Sequence, residues 1–166
     1  MLTLIKTVAP CLLALALLAC DQQRIAELEE GVSTEADVRA RFGVPENVWD
    51  GPDGERVLEY NRQPSGHQNY MIAIGPDGRM AALRQVLNPR TFAQVQPGMP
   101  MEQVRRLLGK PMKTTPYALK NEIAWDWRYL EPPNTSMVFT VWFDPAYHVL
   151  RTSTAPDPEA TENRGR

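Results

Sequence analysis

One unit occurs twice in this chain, and its recurrence limits the fold more than any other feature. Gly98-Met99-Pro100-Met101-Glu102-Gln103-Val104-Arg105-Arg106-Leu107-Leu108-Gly109-Lys110-Pro111 reads as a short capped helix. Val104, Leu107 and Leu108 stand at i, i+3 and i+4, the spacing that lines one helical face. Gly109 and Pro111 stop it, because glycine accepts the left-handed cap and proline cannot continue the helix. Gly31-Val32-Ser33-Thr34-Glu35-Ala36-Asp37-Val38-Arg39-Ala40-Arg41-Phe42-Gly43-Val44-Pro45 has the same grammar, with Val38 and Phe42 where the later copy has Val104 and Leu108. Thr34 and Asp37 form an N-cap pair for the first helix, and Pro100 suits the first turn of the second.

The flanking sequence repeats as well. Ile25 and Leu28 precede the first unit at helical spacing, and Phe92 and Val95 stand 67 positions later. After each closing proline the pattern changes to strands. In the first copy these are Glu46–Trp49, Glu55–Asn61, Asn69–Ile74 and Met80–Leu87, with Gly-Pro-Asp-Gly turns at 51–54 and 75–78. In the second copy Ile123, Trp125, Trp127 and Tyr129 alternate with Asp126 and Arg128, as a half-buried strand does. Met137–Phe143 and His148–Ser153 follow. The expected fold class is α+β: two tandem repeats, each with two short helices packed on a four-stranded antiparallel sheet. Residues 20–88 form the first repeat and 89–153 the second, joined through Asn88-Pro89-Arg90-Thr91. Two units are few for an open array, so a bilobed, pseudo-symmetric pair is expected. Residues 154–166 mix charge with Pro, Gly and Thr and carry no apolar side chain larger than Ala, which predicts a disordered tail.

Residues 1–19 read as a signal peptide. Lys6 precedes an apolar run, Thr7 to Ala19, too short for the roughly 20 residues of a membrane span. The run closes on Leu17-Leu18-Ala19-Cys20, which resembles a bacterial lipobox, although Leu18 is larger than usual at its position. That resemblance implies cleavage between Ala19 and Cys20, lipidation of the Cys20 thiol and acylation of the new amine. The other cysteine, Cys11, leaves with the signal, so the mature chain has no thiol for a disulfide, metal or nucleophile. The whole chain has 18 basic and 20 acidic residues; loss of Lys6 leaves 17 against 20, a net charge of −3. No nucleic-acid footprint follows from that balance. Arg39, Arg41, Arg105, Arg106 and Lys110 cluster on the two helices and read as solvated faces.

Catalytic chemistry has no carrier in the sequence. His67 lies in a loop and His148 opens a strand, neither with a cysteine, carboxylate pair or second histidine beside it. Nucleophile elbows, zinc-protease motifs and phosphate loops are missing. Each Gly-Pro-Asp-Gly offers one carboxylate where calcium needs several oxygens, so both are turns. Trp125, Trp127, Tyr129, Phe139 and Phe143 are assigned to the core. The chain is therefore read as a non-enzyme with no catalytic, cofactor-binding or metal residues.

The lipobox followed by Gly98, Met99, Gln103, Val104, Leu108, Gly109 and Pro111, then by Trp125 and Trp127, resembles the SmpA/OmlA domain of BamE-type outer-membrane assembly lipoproteins. Gly31, Val38, Phe42, Gly43 and Pro45 match the pattern more loosely. The resemblance implies a lipid-anchored periplasmic scaffold that assists β-barrel assembly or envelope integrity, with assembly-machinery subunits as partners. A tandem pair of such units is also similar to β-lactamase inhibitory protein, which implies the alternative of an inhibitor-like or sensor-like binder holding a periplasmic enzyme or ligand on a concave sheet. Location in the outer membrane follows from the family, whereas Asp21 after Cys20 resembles an inner-membrane retention signal. Strand parity supplies a candidate partner surface. If Met137, Phe139, Val141 and Phe143 face the helices, then Val138, Thr140 and Trp142 face away, with Trp142 as the anchor or else buried against the other repeat.

Overall fold

A computed structural model describes residues 25–162, and side chains as far as residue 160. The expected signal peptide, the Ala19/Cys20 cleavage site and the Cys20 anchor lie outside the described residues, as do the last four residues. In chain order the elements are α1 (Glu35–Phe42), β1 (Asn47–Asp50), β2 (Arg56–Asn61), β3 (Asn69–Ile74), β4 (Met80–Gln85), α2 (Pro89–Phe92), α3 (Met101–Leu108), β5 (Lys113–Tyr117), β6 (Glu122–Glu131), β7 (Thr135–Phe143), β8 (Val149–Pro156) and α4 (Pro158–Glu162). Strands β1-β2-β3-β4 form one antiparallel sheet and β5-β6-β7-β8 another, in chain order. The architecture is α+β and consistent with two repeats.

The local signals act as their chemistry requires. Thr34 and Asp37 make a reciprocal capping box: the Asp37 N–H donates to the Thr34 hydroxyl at 3.3 Å, and the Thr34 N–H donates to the Asp37 carboxylate at 2.8 Å. Asn88 caps α2 by accepting from the Thr91 N–H at 3.1 Å, so the expected linker is itself a helix start. The same backbone contacts then recur in both halves. The Gly31 N–H donates to Met80 O at 2.7 Å, and the Gly98 N–H to Val149 O at 2.8 Å. The Met80 N–H returns to Ser33 O, and the Val149 N–H to Met99 O. Each third strand also slips register at one place, between Ala73 and Ile74 and between Trp142 and Phe143. The helices match less well: Ile25 and Ala26 are helical before α1, and α2 spans four residues before α3.

Two hydrophobic cores form, and the second takes in residues of both halves. Val38 and Phe42 of α1 bury against Leu58, Tyr60, Tyr70, Ile72, Ile74 and Met80, on one face of the first sheet. The other face of that sheet meets α3. Met71, Val86 and Leu87 join Val104, Leu108, Trp127, Phe139, Val141 and Phe143 in a second core. The layers therefore run α1, first sheet, α3, second sheet, and α3 is covered on both sides. The two four-stranded sheets are not hydrogen-bonded to each other.

Charge holds this joint. Glu59, fully buried on β2, accepts from the Arg105 guanidinium, the Lys110 N–H (2.9 Å), the Asn61 amide (2.7 Å) and the Trp49 indole (3.1 Å). Four donors offset the desolvation of one carboxylate. Asn69, also fully buried, donates its amide to Leu108 O at 2.9 Å and Lys110 O at 3.1 Å, satisfying carbonyls that the end of α3 leaves open. Arg105 is thus half-buried and paired across the joint, not part of a solvated face. Lys110 pairs with Glu46, and Arg106 lies over the Trp49 ring at 4.7 Å.

The tail differs from its expectation too. β8 continues to Pro156, and Asp157 is 3% exposed. The ordering has a specific cause: Asp157 and Glu159 both pair with Arg128, and the Asp157 N–H donates to Ser136 O at 3.0 Å.

Candidate interaction surface

Among the described residues, the stacking order puts no helix or sheet over the Trp142 end of the outward face of the second sheet. Along β7, Phe139, Val141 and Phe143 are buried, whereas Val138, Thr140 and Trp142 are half-buried and share that outward face. Met137 packs against the core from the inner side. Register sets their neighbours: Trp142 lies opposite Ala124 and Arg151, Thr140 opposite Asp126 and Ser153, and Val138 opposite Arg128 and Ala155.

Trp142 is held by its surroundings. Small Ala124 beside it is 2% exposed. The Arg151 guanidinium lies 4.5 Å from the ring centroid, and the Tyr117 ring lies 5.0 Å away, tilted by 49°. Arg151 is fixed in turn by a two-pronged pair with Glu122, at 2.9 and 2.8 Å. That pair holds the Glu122 carboxyl below its usual range, through the hydrogen bond from Arg151. The Thr140 hydroxyl donates to Asp126 at 2.6 Å. An aromatic platform with preset polar groups can bind with little ordering cost. Around Trp142 the contacts named come from the second half, whereas the Arg128 end of the same face meets Pro64 of the first half.

A second cluster joins both halves and the C-terminal segment. The Ser136 hydroxyl donates to Asp157 at 2.8 Å, and His67 Nε2 lies 3.0 Å from the Ser136 oxygen. With the hydroxyl proton committed to Asp157, the ring nitrogen contributes an N–H. Burial, then the Arg128 charge, push His67 below its usual pKa. Burial alone would raise Asp157, but the Ser136 hydroxyl and Arg128 hold it below the usual carboxylate range. Ser, His and Asp therefore meet in an order unsuited to nucleophile activation, since the histidine does not stand between serine and carboxylate. A shallow cavity of about 380 Å³ beside them is lined by His67, Arg128, Asn134, Ser136 and Glu159. Arg128 also donates to Pro64 O at 3.0 Å, and Gln63 donates to Arg128 O at 2.8 Å, so the group works as a clasp.

Sequence reading did not assemble this clasp. His67, Ser136 and Asp157 are far apart in the chain, and the half-to-half alignment pairs none of them. Among the described residues no three His, Cys, Asp or Glu side chains converge as a metal site would require.

No curated protein matches the chain. Among solved structures, a DUF4309 family protein (YjgB) from Bacillus subtilis subsp. subtilis str. 168 is 20% identical, with 79% of this chain and 83% of that chain covered and a TM-score of 0.31, an overlap too low to transfer fold or function. Residues 85–152, running from the end of β4 into β8 and somewhat less than half of the chain, match the family described as the outer membrane protein assembly factor BamE domain.

Proposed function

We propose that this chain is a lipid-anchored, non-enzymatic scaffold of the bacterial envelope that assists assembly of outer-membrane β-barrel proteins. One observation carries the reading: the match of residues 85–152 to the BamE domain, which spans α2, α3 and nearly the whole second sheet. The reading gives Cys20 the anchor, after cleavage behind Ala19, and puts the folded part in the periplasm on the outer membrane. Asp21 is the residue through which the inner membrane would compete. In this reading the first half is a loosely preserved copy of the same domain, and the partner contacts the outward face of the second sheet at Val138, Thr140 and Trp142. No cofactor or metal takes part.

The support is chemical as well as comparative. A scaffold needs a rigid face, and the Arg151–Glu122 pair fixes that face around Trp142. Truncating a central tryptophan at an interface costs about 2 kcal/mol or more in binding. Purification of the tagged chain from crosslinked envelopes tests the proposal. Barrel-assembly subunits should co-purify, recovery should fall more than tenfold with Trp142→Ala, and Cys20→Ala should release the chain from the membrane fraction. Recovery of a soluble hydrolase in their place, or unchanged partition of the Cys20→Ala chain, would reject it.

A further inference from the structure

We infer that the free edge of β8 is a strand-addition site for an extended polypeptide segment of a partner. The inference rests on backbone geometry and does not depend on the assembly role proposed above.

Strand edges present unpaired N–H and C=O groups, and proteins usually blunt them. Three of the four edges here are blunted. β1 has only four residues, and its Val48 N–H donates to the Asn47 side chain at 2.9 Å. β4 is covered by Glu30, whose carboxylate accepts from the Leu83 N–H at 2.8 Å and pairs with Arg84. β5 carries Lys113 and Pro116, a charge and a missing donor. β8 carries Arg151, which is held in a pair with Glu122, but from Thr152 to Ala155 it has neither a charge nor a proline.

Gly31 and Gly98 occupy matching positions, each donating to the first residue of its half's last strand. Glu30 therefore corresponds to Pro97, which offers no side-chain acceptor. The N–H that matches Leu83 belongs to Thr152 and lacks that cover.

Which groups face outward follows from the ladder. The Asp157 N–H donates to Ser136 O, one residue beyond the Met137–Pro156 pair, so that pair is not hydrogen-bonded. Alternation then makes Ser153 and Ala155 the bonded partners of β7, and turns the N–H and C=O of Thr152 and Thr154 away from the sheet. An added antiparallel strand would gain four backbone hydrogen bonds there. Every residue from Leu150 to Pro156 is exposed, and Thr, Ser and Ala at 152–155 offer small flanking side chains. Such an edge fits an extended segment through its main chain and selects weakly on sequence.

The test uses the full chain and a fluorescein-labelled peptide of alternating threonine and valine with lysines at its ends. Binding is expected, with backbone amide exchange slowed at Thr152 and Thr154. Thr152→Pro removes an outward donor that the ladder does not use, so the fold should survive while affinity falls about tenfold; Thr152→Val, which keeps the N–H, should bind normally. A peptide N-methylated at each central residue should fail on the unaltered chain, which covers the case of a misfolded proline variant. Equal binding of the N-methylated peptide, or no binding at all, overturns the inference. A dimer in sedimentation that Thr152→Pro dissociates, without peptide binding, overturns it too, because the occupant would then be a second copy.

Discussion

The Trp127 indole N–H donates to the Gly109 carbonyl at 3.1 Å, tying the middle of β6 to the glycine that ends α3. The first half makes the same tie with different chemistry: the Tyr60 hydroxyl donates to the Gly43 carbonyl, also at 3.1 Å. In each half a large aromatic side chain from the second strand reaches under the helix and occupies a carbonyl the helix leaves open. The bond is the constant and the residue type is the variable. An aromatic with a polar tip meets both demands, since its body fills the core and its N–H or O–H finds a partner.

The two glycines so tied should respond differently to a methyl group. Both hold φ near +80°, at 83° for Gly43 and 77° for Gly109. At Gly43 an added Cβ meets nothing within 4 Å, so Gly43→Ala should cost about 1–3 kcal/mol, the backbone term alone. At Gly109 the same atom would lie 2.6 Å from the Asn61 side-chain oxygen and 3.0 Å from the Asn69 amide nitrogen. Those are two of the groups that hold the halves together. Gly109→Ala should therefore cost at least about 2 kcal/mol more in urea unfolding, as buried hydrogen bonds are displaced. Equal losses at the two sites would mean that the joint yields freely.

The Glu59–Arg105 pair should dominate the coupling between halves. Removing one partner of a buried pair leaves a charge without compensation, at roughly 3–5 kcal/mol. Arg105→Met is expected to show that loss and to split urea unfolding into two transitions, one for each core. Glu59→Gln combined with Arg105→Met should recover much of it, because the amide oxygen can still accept from Lys110 and Asn61 while no buried charge remains. A single variant within about 0.5 kcal/mol of the unaltered chain would show that water reaches the pair.

How much of this was legible in the sequence depends on the range of the interaction. Gly43, Pro45, Gly109 and Pro111 mark chain reversals within a few residues, and Val38 and Val104 mark helix faces within one turn. Parity along β7 likewise separates Val138, Thr140 and Trp142 from Phe139, Val141 and Phe143, since alternation is a local property. The stacking of α3 on the first sheet is not local: Glu59 and Arg105 stand 46 residues apart. One sign of it was present, because Glu59 interrupts Val57-Leu58-Tyr60 in a strand that has both faces covered. The ordering of β8 past Ser153 escaped for the same reason, as its cause is Arg128 on another strand. Composition around Thr154 describes solubility, and an ion pair at Asp157 overrides it.

The clasp at His67 makes stability depend on pH in two separable steps. Burial and the Arg128 charge lower the His67 pKa in the folded protein, so the unfolded chain takes the proton first as pH falls. The His67 contribution is therefore complete above its unfolded value, about 6.5, and declines as pH drops below it. Asp157 is also lowered when folded, so its contribution is complete above the unfolded value of about 3.9 and disappears as pH falls through the folded one. Urea midpoints measured from pH 8 to pH 3 should fall first as pH drops below about 6.5, then again below about 4. His67→Gln should flatten the upper step and leave the lower, because an amide at that position does not titrate. Asp157→Asn should lower stability above about pH 4, because Arg128 keeps only Glu159 as an acidic partner, and should flatten the lower step. If the His67→Gln profile keeps the slope of the unaltered chain just below about pH 6.5, the histidine is not what couples the clasp to protons.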